Sequence, residues 1–196
     1  MKSRKPLSRE AIIDVALDLL DRHGFEGLSM RKVATVLGVE AMSLYNHVAG
    51  KEALLDGIHE RILLSLDAPP TTRSWQAFVR HQALALHRAL VAHPRAIPLF
   101  ATRPAATPAA VERLGLFLDV LERAGFTTTQ ALSIVQLVAQ LVVGHAMWAN
   151  SVDIALLPDE PPPGTEHLER ALEKWDADRE LTMGIDALLV GFAALL

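Results

Sequence analysis

Four side chains able to hydrogen-bond, Ser43, Tyr45, Asn46 and His47, fall within five consecutive residues of this 196-residue chain, directly behind Ala41 and Met42. Arg31 and Lys51 stand on either side of the group. These residue types suit the recognition of DNA. Ser43, Asn46 and His47 can bond to base edges or phosphate, and Tyr45 can reach phosphate or stack. Lys51 can anchor phosphate, and Arg31 can do the same or read a guanine edge. The small residue at position 41 lets the backbone approach a major groove closely.

Such side chains are useful only if short helices hold them at a steep angle with a tight turn between. Ser29 can cap a helix that runs to about Leu37, and Gly38 supplies a turn that tolerates positive φ. A second helix then spans about Ala41 to His47. Val33, Val36, Leu37, Val39 and Leu44 can form the small core that fixes the crossing. Ahead of this pair, Ser8 caps a helix over 8–23 whose Ile12, Ala16, Leu19, Leu20 and His23 share a face, and Gly24 ends it. Behind it, a longer helix runs from Lys51 to about Leu66. The same spacing also fits two ordinary helices joined by a glycine turn.

Composition fits helices. The chain is 51% hydrophobic with only 5% aromatic residues, and it is rich in Ala, Leu and Val. Its net charge of −4 is unevenly spread: residues 1–51 carry eight Lys/Arg against six Asp/Glu, and the remainder eleven against seventeen. A mildly basic head on an acidic body suits a protein that meets phosphate with one end only. There is no cysteine, which excludes a disulfide scaffold, a thiolate zinc site and a cysteine nucleophile. The basic start, MKSRKPLSREAIIDVA, lacks an apolar signal core, so a cytoplasmic location is expected.

The rest of the chain reads as helices between proline-rich breaks, giving an all-α fold of nine or ten helices. Asp67 to Thr72 is the clearest break. Helices are expected over Ser74–His93, Pro108–Ala124, Thr127–Asn150, Glu166–Trp175 and Leu181–Leu196. The stretch 94–108, with four prolines, is expected to be broken and partly helical, and 158–164 an exposed acidic loop. Thr127 and Gln130 have capping-box spacing. The stretch Leu132–Ala149 is nearly all apolar, but Gln136, Gln140 and His145 interrupt it, and it reads as a buried helix and not a membrane span. The expected domains are 1–52, with the connecting helix to about 66, and 67–196.

The segment 28–58, LSMRKVATVLGVEAMSLYNHVAGKEALLDGI, resembles the DNA-binding domain of the TetR (tetracycline-repressor) family. That pattern has a helix beginning L-[ST], an LGV turn, a recognition helix with LYxHV, and K-x-x-L-L. The resemblance continues through Ser74–Arg80, Thr102–Pro104, Ala124–Phe126 and the long helix with Gly144, which look like the family's C-terminal domain. It implies that Arg31 and the helix Ala41–His47 contact bases and nearby phosphates, with Tyr45, His47 and Lys51 at phosphate-contacting positions. The DNA-facing set is then Ser29, Arg31, Ala41, Met42, Ser43, Tyr45, Asn46, His47 and Lys51. Ala41-Met42-Ser43 stands where tetracycline repressors have a Gln-Pro-Thr type sequence, and Asn46 where a Trp is usual, so the operator should differ from theirs.

The resemblance also implies an effector pocket and a two-fold dimer formed by the Thr128–Asn150 and Leu181–Leu196 helices. The residues named for the pocket are Phe78, Gln82, Leu86, Thr102, Arg103, Phe117, His145 and Trp148. The segment Pro94–Phe100 has no histidine where the tetracycline repressors hold the magnesium of their drug, and Ser65–Asp67 lacks the drug-contacting one. The pocket should therefore suit a small hydrophobic effector and is not built for a metal-chelated drug, and no cofactor is expected. His81, His87, His93 and His145 read as neutral or solvated histidines and not as metal ligands. The functional expectation is a ligand-responsive repressor released from a palindromic operator. Set against it are an α-helical enzyme and a helical dimeric scaffold or small-molecule-binding protein that lacks specific DNA binding. No nucleophile elbow, phosphate loop or HExxH pattern supports the enzyme.

Overall fold

A computed structural model describes residues 6–67, 74–150, 162 and 164–196. Among these residues there are ten α-helices, one 3-10 turn and no strand. All but Asp67 of the expected break at Asp67–Thr72, and most of the acidic loop at 158–164, lie outside the described residues.

Helix α1 (Arg9–Gly27) starts at Ser8, whose Oγ accepts from the Ala11 N–H at 3.2 Å. The expected stop at Gly24 is a kink: Gly24 takes φ 66° and ψ −172°, and helical backbone resumes to Gly27. His23, immediately before the kink, is exposed and takes no part in the core face expected of it. Helix α2 (Met30–Leu37) is capped by Ser29 and ends at Gly38, which is left-handed at φ 65°. Helix α3 (Ala41–Leu44) is shorter than the expected Ala41–His47. Its path continues as a turn, with the His47 N–H and the Val48 N–H both donating to the Leu44 carbonyl at 2.9 Å. Helix α4 (Lys51–Leu64) follows.

The core of this head contains Ile12, Ala16, Leu20, Val33, Leu44, Leu54, Ile58 and Ile62, all almost fully buried. Val33 and Leu44 belong to it as expected, but Val36 is 60% exposed, and Ala34 and Met30 fill that face of α2 instead. The core reaches past α4 to take in Ala96 and Leu99. Gly57 permits the close approach of α4 to α1: a Cβ there would lie 2.2 Å from Ile13 Cδ1 and 2.8 Å from its Cγ1. Two ion pairs brace the same contact, Arg9 to Glu60 and Arg61 to Asp14, each at 2.7 Å.

The body is built from α5 (Trp75–Ala92), the 3-10 turn Pro94–Ala96, α6 (Ile97–Thr102), α7 (Pro108–Arg123), α8 (Thr128–Ala149), the exposed α9 (Glu166–Leu172) and α10 (Ala177–Ala193). Each start has a local cause. Ser74 caps α5, Thr107 caps α7 with Pro108 in its first turn, and Thr127 with Gln130 forms the expected capping box of α8. Asp176 caps α10, which therefore begins four residues before the expected Leu181. Helix α8 is long and apolar enough to cross a bilayer, but its Ala131, Ile134, Val138, Val142 and Ala146 are buried against α5, α7 and α10.

Head and body meet where α4 packs on α6 and α7. His59 of α4 is 5% exposed, with its ring edge-on to Phe100 at 4.1 Å. Burial pushes its pKa from 6.5 down to about 4, against the opposing pull of the Asp56 charge. On the other side, His93 Nδ1 lies 2.8 Å from Asp21 Oδ2 of α1.

Two stability measurements follow. Gly57→Ala should lower stability by about 1–3 kcal/mol through overpacking against Ile13, read as a fall in urea midpoint without a change in slope. His59 is neutral in the folded state, so its contribution is complete above pH 6.5 and is lost as pH falls toward 4. The loss should be about 2 kcal/mol by pH 5, and His59→Leu should flatten that part of the stability–pH curve.

Candidate functional site

The backbone around Gly38 makes the head a rigid presenting device. The Gly38 N–H donates to the Thr35 carbonyl at 3.2 Å and the Val39 N–H to that of Ala34 at 3.0 Å, closing α2 in a Schellman-type turn. Leu44 and Val48 lie four residues apart and are both buried, at 0% and 4% exposure, so they pin α3 and its following turn to the core. The intervening residues then face solvent. Tyr45, Asn46 and His47 are exposed, as are Arg31 and Lys32 of α2, and Met42 is 75% exposed. Ala41 and Ser43 are half-buried on the same short element.

Among the described residues, the side chains of Arg31, Tyr45, Asn46 and His47 make no hydrogen bond or ion pair. Ser29 spends its hydroxyl on the α2 cap, accepting from the Lys32 N–H at 3.3 Å. Lys51 donates from Nζ to the Phe25 carbonyl at 3.3 Å, which ties the start of α4 to the segment after the α1 kink. The exposed polar groups thus have their bonding capacity free, on backbone whose own groups are satisfied.

The second site is a cavity of about 420 Å³ inside the body, of a size that suits a small organic molecule. Leu63, Leu66, Leu86, Phe100, Leu114, Phe117, Val135, Val138 and Val143 give it a largely apolar wall. The polar groups on it are His59, Gln82, Arg103, Arg113 and Gln136. Arg103 lies at the end of α6 and reaches back to α4. Its Nη1 donates to Glu52 Oε2 at 2.6 Å, and its Nη2 to Asp56 Oδ1 at 2.7 Å. The two carboxylates hold its guanidinium above the usual arginine range.

Of the residues named from sequence for the pocket, Gln82, Leu86, Arg103 and Phe117 line this cavity, and the other four do not. Phe78 is buried behind it with its ring edge-on to Phe117 at 4.8 Å. Thr102 is exposed and donates its hydroxyl to the Pro98 carbonyl at 2.7 Å. His145 and Trp148 lie beside a different, shallow groove between α8 and α10, and Trp148 is 45% exposed. His145 is fixed by bonds of its own. Its Nε2 is 2.7 Å from the Ala177 carbonyl, which can only accept, so Nε2 carries the proton. Its Nδ1 lies within hydrogen-bond distance of His87 Nε2, at 3.1 Å. Burial, with repulsion from His145, pulls the His87 pKa down. No group of three or more His, Asp or Glu suited to a metal ion is found among the described residues.

Sequence reasoning passed over Arg113 and His59, although a signal for both was present. Arg113 shares an apolar stripe of α7 with Ala110, Phe117 and Leu121, and His59 one of α4 with Leu55 and Ile62. A charged or titratable group inside a helix's apolar stripe is costly unless it faces a partner or a cavity.

Comparison with known proteins agrees with this two-part construction. The family "Bacterial regulatory proteins, tetR family" matches residues 12–58, and "Tetracyclin repressor-like, C-terminal domain" matches residues 68–183. The chain is 33% identical to the tetracycline repressor protein class E of Escherichia coli, over 97% of this chain and 92% of that one. Among solved structures, a single-residue variant of TetR from Acinetobacter baumannii in complex with minocycline superposes with a TM-score of 0.81 at 27% identity, covering 97% and 95% of the two chains. The TetR family protein ActR of Streptomyces coelicolor in complex with (S)-DNPA superposes with a TM-score of 0.80 at 25% identity, covering 96% and 98%. A helix-turn-helix head matched over residues 12–58 and a helical, cavity-bearing body matched over residues 68–183 place the chain in the TetR family.

Proposed function

We propose that this chain is a homodimeric repressor that binds a palindromic operator in the cytoplasm and is released from it by a small, largely apolar effector seated in the body cavity. The observation that carries this reading is the exposed set Arg31, Tyr45, Asn46 and His47, which make no side-chain hydrogen bond among the described residues and are held on a rigid helix-turn-helix that α4 joins to the cavity wall. The DNA-facing surface is Ser29, Arg31, Ala41, Met42, Ser43, Tyr45, Asn46, His47 and Lys51; Ser29 acts through the helix it caps, and Lys51 keeps two ammonium donors for phosphate beside its bond to the Phe25 carbonyl. Asn46 reads a base edge, and Tyr45, His47 and Lys51 set the register on phosphate. The boundary between the two functional parts falls after α4.

The dimer is supported by apolar surface that one chain leaves uncovered. Leu137 and Trp148 of α8 and Met183 and Val190 of α10 are each 45% exposed or more. A second copy packing isologously on this face would cover them, and two heads about 34 Å apart are what a palindromic site requires.

The switch follows from the cavity wall. His59 and Leu63 of α4 and Arg103 at the end of α6 all line the cavity. An effector that packs better in one arrangement of α6 and α4 shifts the population toward it, and the DNA affinity changes by that differential binding, typically about 1–3 kcal/mol. The Arg103 contacts to Glu52 and Asp56 carry the displacement into the helix that follows the recognition turn.

Fluorescence anisotropy with DNA from upstream of the chain's own gene, over a salt series, tests the reading. The expected result is salt-dependent binding well above that to random DNA, with two chains per site. Lys51→Ala should weaken binding to all sequences and reduce the salt slope by about 1, whereas Asn46→Ala should cost about 1–3 kcal/mol and change sequence preference. Equal affinity for all DNA would favour instead a helical dimeric scaffold or small-molecule-binding protein. For the joint, Arg103→Ala should speed hydrogen exchange about five- to tenfold in α4 and α6 while leaving α8 unchanged, the equivalent of about 1 kcal/mol of lost ion pairing.

A further inference from the structure

The charges on the cavity wall are unbalanced. Arg103 is neutralised by Glu52 and Asp56. Burial keeps His59 neutral at physiological pH. Arg113 is different: it is half-buried on α7, lines the cavity, and has no carboxylate within ion-pairing distance among the described residues. Its Nη2 donates to Gln82 Oε1 at 2.8 Å. Gln82 is 6% exposed and is itself oriented, because its Nε2 donates to the Asp67 carbonyl at 3.3 Å. The amide therefore turns its oxygen to Arg113 and holds the guanidinium in place. Among the described residues, no Asp or Glu lines the cavity.

We propose that the effector is an organic acid, with its anionic group on the Arg113 guanidinium and its body against Leu86, Phe117, Val138 and the neighbouring apolar wall. This deepens the preceding reading, since it names the chemical class that the same cavity takes. One oriented amide oxygen offsets only part of the cost of a half-buried cation, and an anion bound in the cavity offsets more with charge-assisted hydrogen bonds. Burial without a counter-charge also pulls the Arg113 pKa below its ordinary value, opposite to the direction at Arg103. The guanidinium stays charged throughout the physiological range. A cationic ligand would be repelled there. A neutral one of the same shape would leave the guanidinium as underpaired as before.

Two fluorescent probes that share an apolar body separate the contributions: 1-anilinonaphthalene-8-sulfonate, which carries an anion, and N-phenyl-1-naphthylamine, which does not. The full-length wild-type chain should bind the sulfonate at least about tenfold more tightly than the neutral dye. Arg113→Met should abolish that preference while keeping the neutral dye's affinity, which also reports an intact cavity, and Arg113→Lys should restore part of it. The proposal is overturned if Arg113→Met leaves sulfonate binding unchanged, if the wild type prefers the neutral dye, or if neither dye binds. DNA release is read separately by anisotropy. Arg113-dependent sulfonate binding without release would leave the acid site standing and remove the switch. Release by a neutral ligand, indifferent to Arg113, would do the reverse.

Discussion

Helix α4 is gripped from two sides at once, and the arrangement of the molecule depends on that grip. Toward the head, Gly57 lets it lie close against Ile13, and the pairs Arg9–Glu60 and Arg61–Asp14 brace the contact. Toward the body, Arg103 holds Glu52 and Asp56 while His59 packs on Phe100. A fourteen-residue helix thus belongs to the head's core and also forms part of the wall of the body's cavity. Ion pairs with at least one exposed partner, as each of these has, are individually weak. What they supply is direction: each fixes which face of α4 meets which neighbour, while apolar burial of Leu54, Ile58 and Ile62 supplies most of the attraction.

Most of the fold was legible because its boundaries have local chemical causes. Ser8, Ser29, Ser74 and the Thr127–Gln130 pair cap the helices as their residue types imply. Reading went astray where apolar periodicity stood in for caps. The first turn of α10 is charged, so its start at Ala177 left no hydrophobic mark and only the Asp176 cap gave it away. Val36 has the type and spacing of a core residue, yet Ala34 and Met30 take the inward face and leave it to solvent. That choice depends on how α1 lies across α2, which no local pattern contains.

The two candidate sites differed in legibility for the same reason. The surface at positions 41–47 is contiguous in sequence, so its membership could be written down directly. The cavity is assembled from five helices, and helical spacing alone does not distinguish Phe117, which faces it, from Phe78, which packs behind that ring. His145 and Trp148 sit on the helix that supplies Val138 and Val143 to the cavity, but on a face turned toward α10. The expectation of an apolar pocket holds for most of the wall. The polar exceptions, Arg113 above all, sit within apolar stripes, where a reading by periodicity sees only an interruption.

Gly57 has a mechanical consequence as well as a packing one. It is the point where α4 rides nearest to α1, and it lies six residues from Lys51 at one end and six from Leu63 toward the other. At about 1.5 Å per residue, each arm is about 9 Å long. A rod held closest at its middle behaves as a see-saw with equal arms. In the switch proposed above, with Gly57 as its pivot, a push of about 1 Å on Leu63 would carry Lys51 about 1 Å the opposite way.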